Sequence, residues 1–106
     1  MIKKKLNEFP GGWLAGNFKE SLIENPNFEV GIKKIKRGFV DIPHYHLGGK
    51  EYNLLITGKV KHEDQVINQD SIFIFEVGEI SAIKAIEDSV IMVFRGYSDP
   101  KDKYEK

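Results

Sequence analysis

The chain has 106 residues, 41% apolar and 30% charged, which is the composition of one compact folded domain and excludes a disordered chain or a second domain of ordinary size. Sixteen Lys and Arg balance sixteen Asp and Glu, so no net field draws phosphate backbones or anionic lipids, and neither nucleic acid nor membrane is expected as a partner. The absence of cysteine excludes disulfides, thiolate nucleophiles and Cys-ligated zinc or iron–sulfur sites.

Residues 1–27 read as a lead-in of irregular chain and edge strands. Lys3, Lys4 and Lys5 are a solvated terminus, with no apolar run of signal length behind them; no stretch reaches the roughly eighteen apolar residues of a membrane span, so a cytoplasmic protein is expected. Pro10, Gly11, Gly12 and Gly16 punctuate the segment, and Leu22 and Ile23 start at most one helical turn before Pro26. From Phe28 the breakers become regular. Phe28, Val30 and Ile32 alternate with Glu29, Gly31 and Lys33, which predicts a strand with one apolar face and a bulge near Lys34 and Ile35, where the alternation slips.

A short strand is predicted after Gly38 through His46, then a Gly48–Gly49 turn, then a strand from Glu51 to about Thr57 that Gly58 ends. Further strands are predicted over 59–62, 65–67, 71–75, 80–86 and 89–97, separated by clusters of turn residues. Ser98 to Lys106 reads as a polar tail that frays. Many short strands without a helical period predict one all-β domain over 1–106, a sandwich or barrel.

His44 and His46 are two residues apart, so a strand turns both imidazoles to one face. Glu51 follows beyond the Gly48–Gly49 turn, which lets the chain double back and aim a carboxylate at the same point. Two imidazoles and a carboxylate suit non-haem iron, manganese, nickel or zinc, which makes His44, His46 and Glu51 the candidate metal ligands. Asn53 shares the parity of Glu51 and is a candidate ligand contact, balanced against a structural hydrogen bond. Tyr45 and Tyr52 have the opposite parity and turn away. Phe73, Phe75, Phe94 and Trp13 read as core in preference to a substrate wall, and His62 reads as a surface residue.

The run from Gly38 through His44, His46 and Glu51 to Gly58 resembles the first signature motif of the cupins. The second cupin motif maps onto Asp70, Glu76, Gly78 and Ser81; Glu76 stands where the motif has proline, and Ser81 where it has the last histidine ligand. The resemblance covers about Gly38 to Ala85. It implies a double-stranded β-helix, the jelly-roll barrel of small single-domain cupins, a bound divalent metal, a homodimer, and a small-molecule ligand such as an organic acid, a polyol or a sugar derivative. Ser81 leaves three consequences open: an open three-ligand site, a decayed metal-free site, or a replacement ligand from His62, Glu76 or Glu79. Ser81 itself is then a candidate ligand contact. A metal-dependent enzyme and a non-catalytic binding or sensing domain are both compatible with these residues, and the catalytic residues, reaction and substrate are not legible in them.

Overall fold

The segments between turn residues are short and rich in β-branched and aromatic side chains, and they fold into strands with no α-helix. In the computed structural model, which describes residues 1–106, the strands are β1 (Trp13–Gly16), β2 (Ile23–Glu24), β3 (Glu29–Ile35), β4 (His44–Tyr45), β5 (Glu51–Thr57), β6 (Lys59–His62), β7 (Gln65–Asn68), β8 (Ile72–Phe75), β9 (Ile83–Ala85), β10 (Ser89–Arg95) and β11 (Tyr104–Glu105). A six-stranded sheet runs β2-β1-β3-β10-β5-β8, a three-stranded sheet runs β7-β6-β9, and β11 pairs with β4. The predicted order of strands from Glu51 onward is present, with shorter ends at Ile83–Ala85 and Ser89–Arg95. No helix is long and apolar enough to cross a membrane.

β10 lies between β3 and β5, antiparallel to both, and its alternation sorts the interior. Ile91 and Val93 point inward beside Leu55 of β5, and Val60 of β6, Ile83 of β9 and Phe75 of β8 close this dry core. Toward the other end the same inward rows turn polar: Arg95 pairs in register with Glu29, and Glu51 and Asn53 follow on β5. The barrel thus has an apolar floor and a charged upper half.

Three expectations differ from the structure. The apolar set of β3 is on the outer face: Phe28 is 42% exposed, whereas Glu29 and Gly31 are buried, because the interior here is a polar cavity and not core. The slip of pattern at Lys34 and Ile35 is no bulge, since β3 stays in continuous register with β10 from Glu29 to Ile35; the irregularity lies on β5, where Val90 faces Thr57 and Ile91 faces Leu55. The chain after Ser21 makes the two-residue strand β2, parallel to β1, where a helical turn had been the alternative. A fourth difference bears on function. The tail does not fray: β11 adds to β4, and Ser98 and Asp102 are buried.

Gly58 shows why the β5–β6 connection needs glycine. Its φ is +98°, and a Cβ there would lie 2.2 Å from Ser89 Oγ and 2.4 Å from the Asp88 carbonyl, so no larger residue fits without moving backbone.

Leu55 is fully buried at the centre of the apolar floor. Leu55→Ala is expected to lower the unfolding free energy by about 2–5 kcal/mol, read from urea denaturation; a loss under about 1 kcal/mol would show that this floor is not the core.

Candidate metal centre

His44 opens β4, where an antiparallel bridge to Ser81 fixes its backbone: the His44 N–H donates to the Ser81 carbonyl at 3.1 Å and the Ser81 N–H returns the bond at 2.7 Å. His46 follows just past the strand end and still turns inward, its ring edge-on to that of His44 with centroids 5.1 Å apart. Glu51 is the first residue of β5, on the inner face and 7% exposed. One donor atom from each of the three lies within 4.8 Å of the others. Donors sharing one ion at about 2.1 Å each sit within about 4.2 Å of one another. His46 Nε2 and Glu51 Oε1, 3.4 Å apart, are already inside that limit.

The chemistry of the donors fits an ion. His44 Nδ1–H donates to the Ile42 carbonyl at 2.8 Å, and His46 Nδ1–H donates to the Asp102 carbonyl in a short bond. With both Nδ1 protons committed to backbone oxygens, each Nε2 presents its lone pair to the centre, the usual arrangement behind a ligating imidazole. Asn53, weighed at first as a ligand contact, donates its amide to Glu51 Oε2 at 3.1 Å and to the Phe73 carbonyl at 3.4 Å, which orients the carboxylate. Ser81 is buried and shares the wall of a small hollow with Glu51 and Asn53.

None of the alternative fourth ligands joins this group. Glu76 is turned out to Lys50 at 3.4 Å, Glu79 Oε1 accepts from the Glu76 N–H at 2.9 Å, and His62 packs edge-on against Phe75 with its Nε2 3.1 Å from the Ile80 carbonyl. Tyr45 stacks on Tyr104 and Tyr52 on Phe94, both away from the centre. Of the aromatics read as core, Phe73 and Phe75 pack at the floor, Phe94 lies on the outer sheet face beside Tyr52, and Trp13 stacks on Phe18 and lines the cavity over the ligands. That cavity is about 370 Å³.

Sequence reasoning missed the group behind His46. Arg95 is 4% exposed; its guanidinium donates to Asp102 Oδ2 at 2.6 Å and to Glu29 Oε1 at 3.2 Å. Asp102 also accepts the Leu47 and Gly48 N–H groups, each at 2.9 Å, so one carboxylate from the tail pins the ligand loop. Gly48 is required there: a Cβ would lie 2.0 Å from the Tyr97 ring and 2.8 Å from Asp102 Oδ2. Nothing in a polar tail with no periodicity marks Asp102 out, and only the fold brings it 55 residues back to Leu47.

Electrostatics follow from this packing. Burial works against a charged Glu51, yet the His46 hydrogen bond, the Lys33 charge and the Asn53 amide hold it at about 2. Burial likewise pulls His46 down, but the Glu51 carboxylate and the Asp102 carbonyl overcome it and raise the imidazole above its ordinary value. Burial raises Glu29, against the pull of Arg95. For Asp102 burial is outweighed by the bonds from Arg95, Leu47 and Gly48, which lower it.

Three outcomes follow. Metal must displace the His46 proton, so the apparent affinity for a divalent ion is expected to fall about tenfold per pH unit below the raised His46 value, measured by titration at several pH values. In the metal-free protein the Glu51 contribution to stability is complete above 4.5, the ordinary value, and is lost as pH falls toward 2, because the lowered folded value makes the unfolded chain take up the proton first. Asp102→Asn keeps the backbone carbonyl behind His46 but weakens the clamp on its loop. It is expected to weaken metal binding about 10–100-fold, with stability followed separately by denaturation.

No family model and no curated protein matches the sequence. Solved structures do match the fold. An uncharacterised conserved protein with a double-stranded β-helix domain from Klebsiella pneumoniae superposes with a TM-score of 0.69 at 13% identity, over 78% of this chain and 73% of that one. An RmlC-like cupin protein from Desulfovibrio desulfuricans gives a TM-score of 0.59 at 19% identity, over 69% of this chain and 74% of that one. Oxalate decarboxylase from Bacillus subtilis gives 0.66 at 14% identity, over 76% of this chain but only 24% of the enzyme. Arrived at from strand order and from these likenesses alike, the chain has the fold of the cupins, the double-stranded β-helix.

Proposed function

We propose that this is a metal-dependent enzyme of the cupin fold that acts on a small polar molecule, with a divalent ion of iron, manganese, nickel or zinc held by His44, His46 and Glu51. The observation that carries the proposal is the pair of Nδ1–H bonds to the Ile42 and Asp102 carbonyls, which leaves the Nε2 side of both imidazoles, that of His46 beside the buried Glu51 carboxylate, for an ion at a cavity of small-molecule size. When bound, such an ion polarises a substrate oxygen or activates water or dioxygen. The protein's own residues do the rest. Asn53 orients Glu51, Asp102 and Arg95 hold the His46 loop, and Trp13 shields one side of the cavity. Oxalate decarboxylase, a structural neighbour, is named for action on a small acid, which supports organic acids as first substrates beside polyols and sugar derivatives.

Ser81 favours a second reading, a non-catalytic small-ligand-binding or sensing domain, because serine, bridged through its backbone to His44, stands where a third imidazole would be the fourth ligand. Elemental analysis of wild type and His44→Ala separates the readings in part: stoichiometric metal lost in the variant supports the centre. Absence of metal from both, with thermal stability indifferent to added ions and chelator, overturns it. Turnover of small acids, polyols or sugars by metal-loaded protein then decides enzyme against binder.

We propose further that the protein is a homodimer. Tyr52, Leu54, Ile72, Ile74, Met92 and Phe94 form an uncharged outer sheet face, and Ile72 is 64% exposed. A two-fold copy offers the same uncharged surface, so pairing buries no lone charge. Sedimentation is expected to give a dimer for wild type and a monomer for Ile74→Glu; a monomeric wild type rejects the proposal.

A further inference from the structure

Lys33 is the unusual charge in this molecule. The alternation of β3 puts it on the inner face two residues from Gly31, opposite Ile91, and it lines the same cavity as His44, His46 and Glu51. Of the other cations near the cavity, Arg95 is bonded to Glu29 and Asp102, Lys50 pairs with Glu76, and Lys103 is exposed to solvent. Lys33 has neither an ion pair nor a side-chain hydrogen bond, although it is partly buried and close enough for its charge to act on Glu51. A cation without an ion-pair partner on a cavity wall is a place where an anionic ligand supplies the partner.

The charge of the cavity points the same way. Its wall carries four carboxylates (Glu29, Glu51, Asp99, Asp102) and three cations (Lys33, Arg95, Lys103), one net negative charge with neutral imidazoles. A divalent ion reverses that to one net positive charge, which a single monoanion neutralises.

We propose that Lys33 is the anion-recognition residue of this cavity, and that the ligand class is a small monocarboxylate whose carboxylate pairs with the Lys33 ammonium while another oxygen reaches the metal centre. The inference rests on the metal reading given above and narrows it from polar molecules in general to monoanions. Neutral polyols lack the partner for Lys33 and leave the loaded cavity positively charged; dianions overshoot it.

The test uses Co(II) as the metal probe, with wild type, Lys33→Met and Lys33→Arg. Uptake of Co(II) is measured first, by its visible absorption and by elemental analysis. Glycolate, acetate and neutral ethylene glycol are then titrated, with binding read from the cobalt spectrum and from the shift in melting temperature. Wild type is expected to bind glycolate at least about tenfold more tightly than Lys33→Met, with Lys33→Arg retaining most of the affinity and ethylene glycol binding equally weakly to all three. Equal glycolate affinity in wild type and Lys33→Met, no glycolate response in cobalt-loaded wild type, or a parallel loss of ethylene glycol binding in Lys33→Met each overturns the role of Lys33 while the metal centre stands. Failure of wild type to take up Co(II) overturns the metal reading itself.

Discussion

The interior of this barrel depends on the alternation of its three central strands, β3, β10 and β5. One inward row runs from Leu55, Ile91 and Val93 to Glu51, Asn53, Glu29 and Arg95, so the same strands supply a dry floor and a charged cavity. The floor has to be apolar because the stability of a domain this small comes from burying such side chains. The upper half is tolerable because its most buried charges are matched: Arg95 faces two carboxylates, Glu51 faces His46, and Asn53 completes the hydrogen bonding. Removing either partner of such a pair leaves a buried charge behind, and that cost, more than the pairing energy, holds the arrangement in place.

The C-terminal segment ties the cavity to the rest of the chain. Its strand, β11, extends the β4 ligand strand, its Asp102 carboxylate caps the amides after His46, and its Asp102 carbonyl fixes the proton on that imidazole. Arg95, at the end of β10, anchors the same carboxylate. Ligand geometry is therefore set from outside the ligand motif, by a strap that also walls the cavity with Asp99, Pro100 and Lys103.

The cavity holds two sets of functional side chains. His44, His46 and Glu51 bring three donor groups to one point, and Lys33, without an ion pair, lines the same cavity. Ser81, which stands where the second cupin motif has a histidine, shares the wall of a small hollow with Glu51 and Asn53. Fold likeness at 13–19% identity carries none of this; it follows from the side chains of this chain alone.

The sequence by itself determined the all-β class, most strand positions from Glu51 onward, and the convergence of His44, His46 and Glu51, because strand period, turn residues and a two-residue spacing are local properties of the chain. It also kept Tyr45 and Tyr52 away from the centre by parity. Tertiary structure decided which face of β3 is inside, because periodicity marks an apolar face without saying whether the interior is core or cavity. It alone brought Asp102 to His46 and Arg95, moved Trp13 from core to cavity wall, and turned Glu76 and Glu79 away from the centre. Those decisions rest on contacts between residues far apart in the chain, which no local pattern encodes.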